Sequence, residues 1–136
     1  MSTREVLTIG SFDPVHADHV ALFRRCEKLG TLLVGVNTDA FIREYRHVEP
    51  MFPMSQRIAM VGATGFTACR NDGPGRELIE FVRPEFLVVG NDWLERDYLK
   101  QIDMTVEDIQ RLGITVVFTP RGTSISGTEL RERIRD

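Results

Sequence analysis

Cysteine is scarce in this chain: Cys26 and Cys69 are the two present among 136 residues. They lie far apart, form no CxxC, and each has apolar neighbours. That excludes a disulfide scaffold and a structural zinc site and predicts two buried free thiols. An excess of positive charge is also missing. Lys plus Arg is 17 and Asp plus Glu is 20, for a net charge of −3. Nonspecific nucleic-acid binding is mostly phosphate neutralisation, so nucleic acid is not an expected partner. No apolar run approaches the roughly 20 residues of a membrane-spanning helix. The start, Met1-Ser2-Thr3-Arg4-Glu5, lacks the longer apolar region of a signal peptide. The expectation is a cytoplasmic protein that does not bind a membrane. Internal repeats and low-complexity tracts are absent.

What is present suits one globular domain. Hydrophobic residues make up 42% and charged residues 27%, too apolar for a disordered chain. The length matches the roughly 100–150 residues of a typical single domain. Val6 to Gly10 and Leu32 to Val36 are short β-rich runs that read as buried strands. Between them, Val20, Leu22, Phe23, Cys26 and Leu29 recur at helical spacing from Ala17 up to Gly30. Strand, helix and strand within about 35 residues make a βαβ unit with parallel strands. Asp39 to Pro53 carries charges and two prolines and reads as a loop or short helix. Ser55 looks like the N-cap of the next helix. A short strand is expected at Phe66–Cys69, a turn at Asn71–Gly75, and a helix at Glu77–Val82. Strands follow at Phe86–Gly90 and Ile114–Phe118. Thr105 and Asp108 bracket a helix start in capping-box style, and Ser126 to Glu129 bracket a C-terminal one. The fold class is therefore α/β, with a five-stranded parallel sheet and helices on both faces.

Three segments follow expected strands at their C-terminal ends, where ligands bind in open α/β sheets. The first runs from Gly10, Ser11 and Phe12 through Asp13 to His16 and His19. Two histidines three apart at a helix start share one face and lie beside unpaired backbone N–H groups, an anion site. Taken alone, they are more simply read as caps. They have no third ligand nearby for zinc, since His47 is the one other histidine. The second segment is Gly90-Asn91-Asp92-Trp93. The third, Arg121 to Thr128, offers a bidentate phosphate donor in Arg121 and hydroxyls in Thr123, Ser124, Ser126 and Thr128.

The first segment resembles the FDPVHxGH signature of the nucleotidyltransferase superfamily, and Ile125-Ser126-Gly127-Thr128 resembles its ISxT motif. Gly90-Asn91-Asp92-Trp93 is similar to the GDDW segment of glycerol-3-phosphate cytidylyltransferases. Ser55-Gln56-Arg57 falls where those enzymes have a Glu-x-Arg-like helix start. The resemblance spans most of the chain, in matching order, and implies one Rossmann-like cytidylyltransferase-like domain over residues 1–136. It implies a transferase that moves a nucleotidyl group, CMP from CTP, to a phosphorylated small molecule and releases pyrophosphate. His16, His19 and Arg121 would be catalytic. Gly10, Ser11, Phe12, Asp92, Trp93, Thr123, Ser126 and Thr128 would bind nucleotide. Arg57, Arg46 and Arg70 would bind the acceptor, whose usual phosphate-contacting lysine has no counterpart here. Magnesium would accompany the triphosphate without a dedicated protein site, and a homodimer is the default assembly. ATP as donor and a weakly active nucleotide-binding module are the alternatives. The superfamily's motif glycine is Asp18 here, expected to point outward as a favourable first-turn acid.

Overall fold

The structure, a computed structural model, describes residues 4–90 and 96–120. The described elements run β1 (Glu5–Gly10), α1 (Ala17–Glu27), β2 (Thr31–Asn37), α2 (Asp39–Arg46), α3 (Met54–Ala63), β3 (Thr67–Asn71) and α4 (Arg76–Val82). They continue with β4 (Phe86–Gly90), α5 (Tyr98–Gln101), α6 (Val106–Leu112) and β5 (Thr115–Thr119). The five strands form one parallel sheet in the order β3-β2-β1-β4-β5.

Strand alternation divides the core into two layers. Val6 and Val88 pack on one face with Phe23 and Cys26 of α1 and Val61 of α3. Their neighbours Leu7, Leu87 and Val89 pack on the other with Ile79 of α4, Tyr98 of α5 and Ile102. The helices thus cover both faces, as expected, and the side they cover changes between β1 and β4. That switch point is where the sheet opens. β1 pairs with β2 all the way from Glu5↔Thr31 to Gly10↔Val36. It pairs with β4 only at Val6↔Phe86 and Leu7↔Leu87. Past that point, the Thr8 hydroxyl donates to the Val88 carbonyl at 2.8 Å, and no further register pair joins the strands. A crevice at such a switch, outside the carboxyl ends of the strands, is the ligand position of open α/β sheets.

The loop or short helix expected from Asp39 is a helix over Asp39–Arg46, capped by Thr38, whose hydroxyl accepts from Phe41 N at 3.1 Å. Other local expectations are corrected. The N-cap of α3 is Pro53, not Ser55. The Pro53 carbonyl accepts from Gln56 N and Arg57 N, so the first turn closes without a side-chain cap. α5 was not foreseen; Asp97 caps it by accepting from Lys100 N at 3.0 Å. Cys26 is buried, but Cys69 is only half-buried because β3 is an edge strand. The helix expected from Ser126 lies outside the described residues. Among the described residues, no helix is long and apolar enough to cross a membrane.

Candidate active site

The chain leaves β1 through Gly10 and turns into α1. A Cβ on Gly10 would lie 2.9 Å from Phe12 Cζ, so glycine lets the Phe12 ring fold back under the strand end. Phe12 has φ of 49°, and its buried ring meets the His19 ring edge-on at 4.9 Å and Phe23 at 5.4 Å. The Phe12 ring thus belongs to the core and props His19.

His16 and His19 form a reciprocal capping box at the α1 N-terminus. His16 Nδ1 accepts from Asp18 N at 3.3 Å, and His19 Nδ1 accepts from His16 N at 3.1 Å. Their rings stack with centroids 3.8 Å apart. An accepting Nδ1 requires a lone pair, which assigns the proton of each neutral imidazole to Nε2. Burial pushes His19 down to about 3, helped by His16 and opposed by the Asp18 charge. His19 is therefore a neutral ring at physiological pH, with an N–H donor on the nitrogen that does not cap. The Asp18 carboxylate does not point out into solvent as expected. Its Oδ2 is shielded from water, and its charge acts on His19.

Buried braces hold the loops around this turn. The Asp13 carboxylate accepts from Met51 N at 2.6 Å and Phe52 N at 2.8 Å. Arg57, expected to bind acceptor, is completely buried. Its guanidinium donates to the carbonyls of Phe52, Ser11 and Asn37 and to the Asp39 carboxylate at 2.6 Å. Those bonds make Arg57 a buried strut joining three segments, at residues 11, 37–39 and 52, which removes its side chain from the ligand surface. Asn71 donates to Asn37 at 2.8 Å and to the Gly73 carbonyl, and Asn37 donates to Ser11 Oγ at 3.2 Å. This chain crosses the carboxyl ends of β3, β2 and β1. Arg46 lies exposed on the last turn of α2. Arg70 is exposed and paired with Asp72 at 2.9 Å. Asp92, Trp93, Arg121, Thr123, Ser126 and Thr128 lie outside the described residues.

Sequence reasoning missed Asn37 and Asn71. The available signal was an amide side chain directly after a β-rich run, at the strand end where ligands bind. It also missed a cavity of about 710 Å³ on that edge of the sheet. Its walls are the start of α2 (38–45), the turn after β3 (72–74) and the segment into α5 (96–101). Among the described residues, no group of three His, Cys, Asp or Glu could hold a metal ion. Both Asp13 oxygens face backbone N–H groups, so that carboxylate does not suit magnesium.

The family model described as cytidylyltransferase-like matches residues 7–133. The Bifunctional protein HldE of Proteus mirabilis (strain HI4320) is 39% identical over 100 residues, covering 69% of this chain and 21% of that protein. Its namesake from Halorhodospira halophila is 35% identical over 138 residues, covering 97% of this chain and 28% of that protein. The chain thus spans about a fifth to just over a quarter of these relatives. The lipopolysaccharide core biosynthesis protein from Thermoplasma volcanium GSS1 has a TM-score of 0.71 at 24% identity, over 91% of this chain and 100% of that one. Pantoate-beta-alanine ligase from Francisella tularensis has a TM-score of 0.64 at 12% identity, over 94% of this chain and 65% of that one. Both structural likenesses speak to fold.

Proposed function

The chain belongs to the cytidylyltransferase-like family, and from that premise we propose that it moves a nucleotidyl group from a nucleoside triphosphate to a small phosphorylated acceptor. An oxygen of the acceptor phosphate attacks the α-phosphorus in line. The bond from that phosphorus to the α,β-bridging oxygen breaks, and pyrophosphate leaves with the electron pair. No protein nucleophile is needed, so the protein positions the reactants and stabilises developing charge.

The observation that carries this reading is the histidine capping box. Each Nδ1 is engaged by a backbone N–H, and in this reading the neutral His19 ring turns its Nε2–H toward phosphate oxygens at the helix end that favours anions. A neutral donor suits the task, because it needs no proton transfer as charge grows. In this reading Arg121, Ser126 and Thr128 hold the departing pyrophosphate, Gly10 and Ser11 flank the nucleotide, and Asp92 and Trp93 meet its ribose and base. Magnesium would enter on the triphosphate.

The Gly90-to-Trp93 resemblance supports CTP. The names of the two curated relatives support no cytidyl preference, so ATP stands as the second donor. A cytoplasmic homodimer completes the reading, and light scattering checks the assembly. The test is pyrophosphate release with CTP or ATP, magnesium and a panel of sugar phosphates. One donor should give turnover with at least one acceptor. Nucleotide binding without turnover on any acceptor would leave the binding-module reading in its place.

A further inference from the structure

We propose that Asn37 and Asn71 are positioning residues that fix the polarity of the Ser11 hydroxyl, so that it meets the nucleotide as a hydrogen-bond donor to a phosphate oxygen. This rests on the nucleotidyl-transfer reading and adds what two buried amides do within it.

Burial is the first argument. Asn71 is 1% exposed and Asn37 8%, at the carboxyl ends of β3 and β2. They stand opposite one another in the register of the sheet. An amide in such a place costs free energy unless its polar atoms are paired. Packing of the strand ends does not call for two of them.

Direction is the second argument. The chain of bonds starts from an atom that can only accept, the Gly73 carbonyl oxygen. Asn71 Nδ2 donates to it at 2.9 Å and to Asn37 Oδ1 at 2.8 Å, which uses both of its hydrogens. Asn37 Oδ1 is thereby turned to β3 and its Nδ2 to β1, where it donates to Ser11 Oγ at 3.2 Å. Reversing Asn71 would set its oxygen against the Gly73 carbonyl. Reversing Asn37 alone would set two NH2 groups face to face. One polarity satisfies every atom, and at its end the Ser11 oxygen accepts and cannot give its own proton to Asn37.

The third argument is where that proton is left. Arg57 Nη1 donates to the carbonyls of Ser11 and Asn37, each at 2.8 Å, so the two side chains meet across a clamped backbone. Ser11 is half-buried, between the end of β1 and His16, at the crevice. Among the described residues its hydroxyl makes no other hydrogen bond. An O–H held as a donor beside a triphosphate suits an anionic oxygen, where hydrogen bonds are strongest.

Asn37→Asp tests the polarity with almost no change of shape. A carboxylate still accepts from Asn71, but it also accepts from Ser11 and turns that proton inward. Steady-state kinetics compares this variant with Ser11→Ala and with the double variant, and thermal melting is the folding control. Each single variant should lower kcat/KM for the nucleotide by about tenfold to a hundredfold, the weight of one hydrogen bond to a charged group. The double variant should lose no more than Ser11→Ala does, because Asn37 acts through that hydroxyl. Unchanged kinetics in Ser11→Ala overturn the proposal. Losses that multiply also overturn it, since the new charge would then act on phosphate by itself. If Asn37→Asp does not fold, Asn71→Asp, which cannot donate to Gly73 and reverses the chain from its other end, takes its place in the same cycle. If no donor and acceptor turn over, the transfer reading fails, and calorimetry with CTP and ATP decides the role of the amides. Affinity lost in Ser11→Ala, and lost no further in the double variant, supports it. Unchanged affinity in Ser11→Ala, or no binding of either nucleotide to the wild type, overturns it.

Discussion

Helices α1 and α6 begin with the same hydrogen-bond pattern, made from different chemistry. At α6, Thr105 Oγ1 accepts from Asp108 N at 3.1 Å, and the Asp108 carboxylate accepts from Thr105 N at 2.9 Å. The same carboxylate also takes Arg76 at 2.8 Å and Arg111 at 3.3 Å. Its oxygens are thereby committed within the protein. At α1 the third helical position holds His19, not an acid. One ring nitrogen closes the box, and the other keeps a proton. The neutral imidazole gives up the attraction between a carboxylate and the helix dipole, worth roughly 0.3–1 kcal/mol. In exchange, α1 begins with a donor that its cap does not consume. A Thr/Asp box ends a helix; a His/His box ends it and presents chemistry.

The largest expected effect breaks the α1 box selectively. His16→Asn and His19→Gln keep an acceptor for the capped N–H but lose the Nε2–H. Turnover should fall by about 10²–10³, the loss seen on removing a preorganised donor. Melting should stay close to wild type, because Asn is among the best N-caps. Steady-state kinetics beside thermal melting checks both. Normal turnover in both variants would reduce the histidines to caps.

Acid separates the boxes next. His19 falls from 6.5 in the unfolded chain to about 3 when folded, so the unfolded state binds the extra proton. Its contribution is complete above pH 6.5 and is lost as pH falls from there toward about 3, at up to about 1.4 kcal/mol per pH unit. The Thr105 backbone N–H, above all, holds Asp108 below its ordinary 3.8. Its contribution is lost only under more acidic conditions. Urea titrations at pH 7, 6, 5 and 4 should show a slope that His19→Gln flattens and Asp108→Asn leaves in place.

Thr105→Ala should then destabilise the fold by about 0.5–2 kcal/mol, with kcat unchanged, since α6 packs on the side of α4. A loss of activity at constant folded fraction would erase the contrast between the helices. The smallest effect concerns Asp18, whose shielded carboxylate lies within electrostatic reach of His19. Asp18→Gly should tighten nucleotide binding by less than about tenfold, and the gain should shrink in high salt. Titration calorimetry at two ionic strengths measures it.

The sheet was legible because its strands are short runs of β-branched and leucine residues punctuated by glycine, as in Val6–Gly10 and Phe86–Gly90. α2 was only half legible, as a loop or short helix, because a helix that buries only Ile42 leaves almost no apolar stripe to read. α5 is four residues long and carries no periodicity. From their spacing and position after a strand the histidines read as caps, which the capping box bears out. Their double duty was not legible, since a sequence does not tell which ring nitrogen meets a backbone amide. Arg57 was read as an acceptor ligand from the resemblance of Ser55-Gln56-Arg57 to a Glu-x-Arg helix start. Its partners come from residues 11, 37, 39 and 52, a convergence that appears only once the chain is folded. The burial of the Phe12 ring was not legible either, since it follows from a positive φ that the sequence does not announce.

Arg57 also bears on how such a protein can diversify. One side chain, buried under the strand ends, fastens the loops that lead to both halves of the site, while the side chains that face the cavity do none of that fastening. Substitution at Tyr45, Glu44 or Lys100 therefore leaves the braces among residues 11, 37, 39 and 52 standing. The residue at 57 has no such latitude, because any replacement strands a carboxylate and three carbonyls together.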